Sequence, residues 1–365
     1  MPKFEHTIAL LDRCLAVGVP GYDFTLRRGG EVLLRRTEGF SNREAGIPMT
    51  GRERYNLYSC SKLITCSAAL QLWERGLFRL DDELGEYMPE FAEMKVRTPS
   101  GETVPASNRI TIRHLFTMTA GFNYNLSLPA ILRCYDETHG AAPTRECIRR
   151  LAEEPLDFEP GTDWQYSLCH DVLAALVEVI SGMPFNDYVT QHIFLPLGMK
   201  DSTFLLPAAE FPTVAEQYRY FDGAVVPIGP RNPYRLGADY ASGGAGCVST
   251  MEDYMRFLEA LREGDRVLGR ETIRMMASPQ LTPELRRSYA KSYGEEYSYG
   301  LGVRCPVAEG TGVYDFGWDG AAGAHLFIDL EHDLAGFYLQ HVLGMAPVRP
   351  LRFALPGAVL QDLGC

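Results

Sequence analysis

What this chain lacks bounds what it can be. It has no surplus of positive charge: 35 Lys and Arg stand against 47 Asp and Glu, a net charge of −12. Nucleic acid and anionic membrane both favour basic surfaces, so neither is expected as a partner. No apolar run is long enough to span a bilayer. Residues 1–19 read as an amphipathic helix, and Lys3, Glu5, Asp12 and Arg13 break up what a signal peptide would need as its apolar core. The nine cysteines show no CxxC pairing. Without an export signal, free thiols in a reducing cytoplasm are the expectation. Three kinds of chemistry are missing too. There is no Gly-x-Ser-x-Gly elbow, no His-Glu-x-x-His among the eight histidines, and no glycine-rich phosphate loop. We infer no cofactor and no metal. Cys169-His170-Asp171 is a tight Cys/His/Asp cluster, but at the start of a helix it reads as capping. His170 is also close enough in sequence to Tyr166 to face the same site.

What the chain does have is Ser-x-x-Lys at Ser59-Cys60-Ser61-Lys62, followed by the apolar positions Leu63, Ile64, Cys66, Ala69, Leu70 and Trp73 and a stop at Gly76. On a helix, positions i and i+3 share a face, so the hydroxyl and the ammonium would point the same way. A helix start also offers free N–H groups and a partial positive charge to a developing oxyanion. The pattern alone fits an ordinary buried helix equally well, with Ser59 as its N-cap and Lys62 in solvent. A second copy, Ser288-Tyr289-Ala290-Lys291, lies in a charged, tyrosine-rich stretch with no apolar helix behind it and reads as solvated surface. Cys60 reads as a small buried hydrophobe.

Composition is that of a globular protein, with 46% hydrophobic and 22% charged residues. Strand-like runs at 22–28 and 31–37 join through Gly29-Gly30 as a hairpin. Residues 77–88 form an acidic connector. Helices are expected over 110–119, 145–152, 171–181, 185–194 and 349–360, and over 249–262 behind a Ser249…Glu252 capping box. Strands return at 299–304, 324–329 and 334–339. These predict an α+β fold: an antiparallel sheet built from both chain ends, flanked by terminal helices, plus a mostly helical lobe. Residues 1–58 and 245–365 would hold the sheet and 59–244 the helical part, together forming one domain.

Several ordered motifs then carry a resemblance. Val19-Pro20-Gly21 and Gly39-Phe40 sit around the hairpin. Ser59-x-x-Lys62 is followed by Leu72, Gly76 and Leu80-Asp81-Asp82. His114-Leu115-Phe116-Thr117-Met118-Thr119-Ala120-Gly121 comes next, then Pro160-Gly161 with Tyr166-Ser167. After these stand Pro196-Leu197-Gly198-Met199 with Ser202-Thr203-Phe204, Gly243-Gly244 with Ser249-Thr250, and Tyr299-Gly300-Leu301-Gly302. Along almost its whole length the chain resembles the serine β-lactamase-like and penicillin-binding-protein-like hydrolases, nearest to the class C branch. The resemblance implies that Ser59 forms an acyl-enzyme and that Lys62 and Tyr166 handle its proton, in an order the sequence leaves open. It also implies an oxyanion hole from the backbone N–H groups of Ser59 and Ala321.

Two motifs depart from that family. Its Tyr-x-Asn reads Tyr166-Ser167-Leu168 here, so the clamp for a substrate amide is gone; family esterases are often similar in this respect. Its Lys-Thr-Gly or His-x-Gly reads Trp318-Asp319-Gly320. Trp318 replaces a cation with an apolar wall, while Gly320 would still admit a substrate close to the strand backbone. Leu168, Trp318 and Gly320 are thus the expected substrate contacts. Both changes remove anchors for an anionic amide. The expectation is a carboxylesterase or acyltransferase acting on a small-molecule ester or amide. A β-lactamase or D-amino-acid peptidase is the alternative within the class, and a non-catalytic ligand-binding member the alternative outside it. Tyr124, Tyr218 and Tyr220, on the segments 123–133 and 218–240, are candidates for the cleft wall. The oligomeric state is not legible.

Overall fold

The computed structural model describes residues 3–308 and 310–365. The chain opens with helix α1 (Glu5–Ala16), then strands β1 (Gly21–Arg28), β2 (Glu31–Asn42) and β3 (Ile47–Pro48). A single turn at Tyr58–Cys60 leads into α2 (Ser61–Glu74). The helical middle contributes α3 (Ile112–Thr117) and α4 (Cys169–Ser181), after which α5 (Met251–Glu263) and α6 (Pro283–Tyr293) return towards the sheet. The sheet then gains β4 (Tyr297–Tyr299), β5 (Arg304–Pro306), β6 (Asp315–Asp319), β7 (His325–Asp329) and β8 (Leu334–Leu339), and the chain ends in α7 (Arg349–Phe353) and α8 (Leu355–Leu363).

The sheet runs β4-β5-β6-β7-β8-β1-β2-β3, antiparallel throughout. Strands from the two chain ends meet at the β1–β8 pair, where Phe24 lies opposite Tyr338. Alternate residues face opposite sides of a strand, and here both sides are covered. Tyr22, Phe24, Leu26, Phe327 and Tyr338 pack beneath Leu11, Cys14, Leu355 and Val359 of the terminal helices. Leu326, Ile328, Ala335 and Phe337 face the helical body through Tyr254 and Leu258 of α5. The fold is the expected α+β arrangement.

Some elements differ from the sequence expectation. The N-terminal helix spans only Glu5–Ala16, and residues 1 and 2 lie outside the described residues. The single strand expected over 299–304 is a reversal: the Gly300 N–H donates to the Val303 carbonyl, which separates β4 from β5. The final helix is two segments, with Pro356 in the first turn of the second. The cap of α5 is Thr250, whose hydroxyl accepts from the Asp253 N–H; Ser249 sits one residue earlier in a short strand. The second Ser-x-x-Lys lies on a regular helix, α6, with Lys291 exposed and Tyr289 buried. Among the described residues no single helix is long and apolar enough to cross a membrane, and the apolar pair Cys169–Ser181 and Phe185–Leu197 is bent by 79°. All nine cysteines are free, and eight of them are buried.

Candidate active site

Helix α2 is buried almost all round, from Ser61 to Leu70, which marks it as the central helix of the core. Its polar side chains therefore need internal partners. The segment 243–247 supplies three of them. Lys62 Nζ donates to the Gly244 carbonyl at 2.7 Å, and Thr65 Oγ1 donates to the Gly243 carbonyl at 2.7 Å. Ser61 Oγ accepts from the Cys247 N–H at 2.9 Å. The C-terminus closes with Gly76 and Leu77 N–H groups donating back to Trp73 and Leu72.

Ser59 sits just ahead of α2 in the one-turn segment, and Tyr58 before it has φ +49°. Such a left-handed conformation is costly for a bulky residue and is held only where the surroundings over-determine it. Here Tyr58 is fully buried, and its hydroxyl donates to Gln217. No side-chain cap is formed by Ser59; its hydroxyl is turned to the cleft. Lys62 is fully buried beneath it, not in solvent, with Nζ 3.4 Å from Ser59 Oγ.

Tyr166 arrives from the other side. Backbone bonds zip its loop to the segment after α3: Gly161 N–H to Thr119 O, Gln165 N–H to Met118 O and Leu168 N–H to Asn123 O. The phenol donates to Ser59 Oγ at 2.5 Å. Its ring stacks between Tyr124, at 5.3 Å, and Trp318, at 5.9 Å. Lys62 Nζ lies 4.6 Å from the Tyr166 ring centre and 5.1 Å from that of Tyr124. Burial, the dominant cause, pushes Lys62 down to about 8, while Asp171 pulls the other way. Burial pushes the Tyr166 phenol up, opposed by its bonds to Ser59 and Trp318.

Trp318, Asp319, Gly320 and Ala321 come from the end of β6 and the turn into β7. Gly320 is needed for a reason the sequence did not show: a Cβ there would lie 2.6 Å from the Leu57 carbonyl. The glycine lets the turn after β6 abut the chain just before Ser59. The cleft holds about 510 Å³ and is lined by Ser59, Tyr124, Tyr166, Tyr234, Tyr293, Trp318 and Phe353, with Gly320 and Ala321 at its edge. Ser292, Arg349 and Arg352 form its far rim. Arg349 donates to the Ser292 carbonyl, and Arg352 Nε lies 3.8 Å from Asp319. Behind the wall, Asp319 is held well below the usual carboxylate range; burial opposes this, but His325, Arg352 and Arg304 outweigh it.

Ser59, Lys62, Tyr166, Trp318, Gly320 and Ala321 therefore converge. Leu168 does not. It is 2% exposed, precedes α4 and packs into the core, so it takes no part in the cleft wall. Of the candidate tyrosines only Tyr124 reaches the cleft; Tyr218 is buried against Glu44 and Arg43. The 169–171 cluster caps nothing. His170 is buried beside Cys66 and the Phe116 carbonyl, pushed down to about 3 by burial. The sequence pointed to the segment 218–240 but not to Tyr234 on it, and nothing in its pattern pointed to Tyr293, Arg349, Arg352 or Phe353.

A serine at the start of the central helix, a buried lysine one turn on and a phenol hydrogen-bonded to the serine thus meet at one cleft. The family model described as Beta-lactamase matches residues 8–359, and the chain belongs to that family. It is 33% identical to Esterase EstB of Burkholderia gladioli over 369 residues, covering 91% of this chain and 88% of that protein. It is 29% identical to the Lovastatin esterase of Penicillium rubens, with 77% of each chain covered. Among solved structures it is similar to EstCE1, described as a hydrolase with promiscuous acyltransferase activity, at TM-score 0.79 and 25% identity over 97% of each chain.

Proposed function

We propose that this protein is a serine hydrolase that cleaves small-molecule carboxylic esters, or passes their acyl group to another acceptor, through an acyl-enzyme on Ser59. β-Lactam turnover is weak or absent in this reading, and the protein works in the cytoplasm, in keeping with its free thiols. The observation that carries the reading is the hydroxyl of Ser59 held 2.5 Å from Tyr166 Oη and 3.4 Å from Lys62 Nζ at an aromatic cleft. The esterases and the hydrolase named above support the substrate class.

Ser59 Oγ attacks the ester carbonyl. Its proton passes to the Lys62 amine, whose proton affinity is brought near working pH by burial. The oxyanion takes hydrogen bonds from the Ser59 and Ala321 N–H groups, each worth about 3 kcal/mol of barrier. Tyr166, kept protonated by its burial, donates to the departing alkoxide and is re-protonated from the Lys62 ammonium. Water or an acceptor alcohol then attacks the acyl-enzyme by the reverse route. Trp318 stands where the related enzymes place a cation, which favours neutral, apolar substrates.

Turnover of p-nitrophenyl butyrate against a chromogenic cephalosporin tests this directly. Faster cephalosporin hydrolysis overturns the esterase reading. A fluorophosphonate should add its mass to Ser59 and not to a Ser59→Ala variant; no labelling at all would favour a ligand-binding role instead.

A further inference from the structure

Asp171 lies in the first turn of α4, fully buried, with no Lys or Arg in salt-bridge contact. One oxygen, Oδ1, accepts from Tyr240 Oη at 3.0 Å and from Ser242 Oγ at 2.7 Å. The other, Oδ2, has no side-chain or backbone bond of good geometry. Leaving half of a buried carboxylate unsatisfied is expensive unless a charge nearby compensates it. That oxygen faces Gly244. A Cβ on Gly244 would fall 2.4 Å from Asp171 Oδ2, 3.0 Å from Tyr124 Oη and 3.3 Å from Lys62 Nζ. The carboxylate and the ammonium thus border the same small space, divided by a glycine, without touching as a direct ion pair.

We propose that Asp171 is a positioning residue for the acyl-transfer reaction: its carboxylate, facing Lys62 across Gly244, is the buried counter-charge that sets the lysine's protonation state. This deepens the hydrolase reading and rests on it for its catalytic meaning. The balance is between two opposed effects. Burial alone favours the neutral amine, and a lysine of low proton affinity could accept the serine's proton but would have little tendency to hold it. A carboxylate in direct contact would do the reverse and lock the ammonium. A carboxylate one glycine away does neither. The remaining groups around Lys62 are weak titrating partners: Ser59, Tyr124 and Tyr166 from the cleft side, Cys60 and Cys66 on its own helix turn, and Cys169 and His170 on α4. The three thiols are pushed up and His170 down by burial, so all four stay neutral near pH 7. Asp171 is the one buried carboxylate among these groups. Burial, the largest effect, raises the Asp171 carboxyl; Lys62, Ser242, Tyr240 and the Gly244 backbone oppose it by favouring the charged form.

The test is Asp171→Asn, which keeps an acceptor for Tyr240 and Ser242 and removes only the charge. The chain has five lysines, Lys3, Lys62, Lys95, Lys200 and Lys291. With ε-13C lysine labelling each gives one NMR signal, and Lys62→Met assigns the signal of interest. The Lys62 midpoint should fall by at least about one pH unit in Asp171→Asn, a tenfold loss of proton affinity, while the other four stay put. In step with it, the acid limb of kcat/KM for p-nitrophenyl butyrate should move to lower pH. Asp171→Ala, which also removes the charge, should move both in the same direction, and it serves if the Asn variant does not fold. An unmoved Lys62 midpoint in a folded variant overturns the proposal. If the midpoint moves but no ester is turned over by the wild type, the hydrolase reading fails and the charge coupling stands.

Discussion

The chain carries the same four-residue pattern twice, and the two copies differ in almost everything but spacing. Ser59-x-x-Lys62 opens a helix buried all round, and Ser288-x-x-Lys291 rides the outer face of α6. Lys62 is fully buried and touches Ser59, Tyr124 and the Gly244 carbonyl; Lys291 is exposed. Spacing brings a hydroxyl and an ammonium to one side of a helix. Spacing does not change the proton affinity of the ammonium; burial and the buried groups around it do, and only a tertiary partner such as Tyr166 closes the set. The motif is therefore buried at a cleft in one place and carried on the surface in the other.

The sharpest way to break this comparison is to remove both serines separately. Ser59→Ala should lower kcat for p-nitrophenyl butyrate by roughly 10⁴-fold or more, as loss of a nucleophile does. Ser288→Ala should leave it unchanged. Equal, small effects would sink the assignment of the first copy.

The lysines come next. Lys62→Met is near in size and fills the same buried space without charge, so the fold should hold while kcat/KM falls by about 10³-fold. Lys291→Met should be silent. On the proposed mechanism the acting form is the amine, so kcat/KM should rise with pH through about 8, the burial-lowered value, and level above it. A profile that falls across that range would mean that the ammonium is the working form. Tyr166→Phe, which removes the phenol 2.5 Å from Ser59 Oγ, should cost about 10²-fold in kcat, with phosphonate labelling of Ser59 slowed but retained.

The comparison also shows how much could be read before any coordinates. Ser59 and Lys62 were legible because helical spacing is local, and Tyr166, Trp318 and Ala321 because ordered motifs fixed their place. The antiparallel sheet and its terminal helices followed from strand-like runs at both chain ends. The burial of Lys62 was not legible: an i, i+3 pattern looks the same whether or not residues 243–247 later cover it. Leu168 was misplaced for a related reason. It follows Tyr166 by two residues, but its N–H is tied to the Asn123 carbonyl and it enters the start of α4, which turns it inward. Gly320 was singled out for a substrate's approach; the Leu57 carbonyl, 2.6 Å from where its Cβ would lie, is a further reason that the sequence did not reveal. Tyr234, Tyr293 and the rim arginines reach the cleft only through tertiary packing, which no sequence period encodes.

The smallest expected effect returns to the second copy. Two residues beyond Lys291, Tyr293 leans on Trp318 with ring centres 5.1 Å apart and an angle of 34°, and it lines the cleft. Helix α6 thus contributes an aromatic wall while its Ser-x-x-Lys contributes nothing. Aromatic pairs of this kind are worth about 0.5–1.5 kcal/mol beyond burial. Tyr293→Ala should therefore raise KM for p-nitrophenyl butyrate by roughly two- to tenfold and leave kcat near the wild-type value, because the contact is made equally before and during the reaction. A drop in kcat as large as that of Tyr166→Phe would place Tyr293 in the proton path and blur the line between the two copies; an unchanged KM would remove α6 from the binding surface altogether.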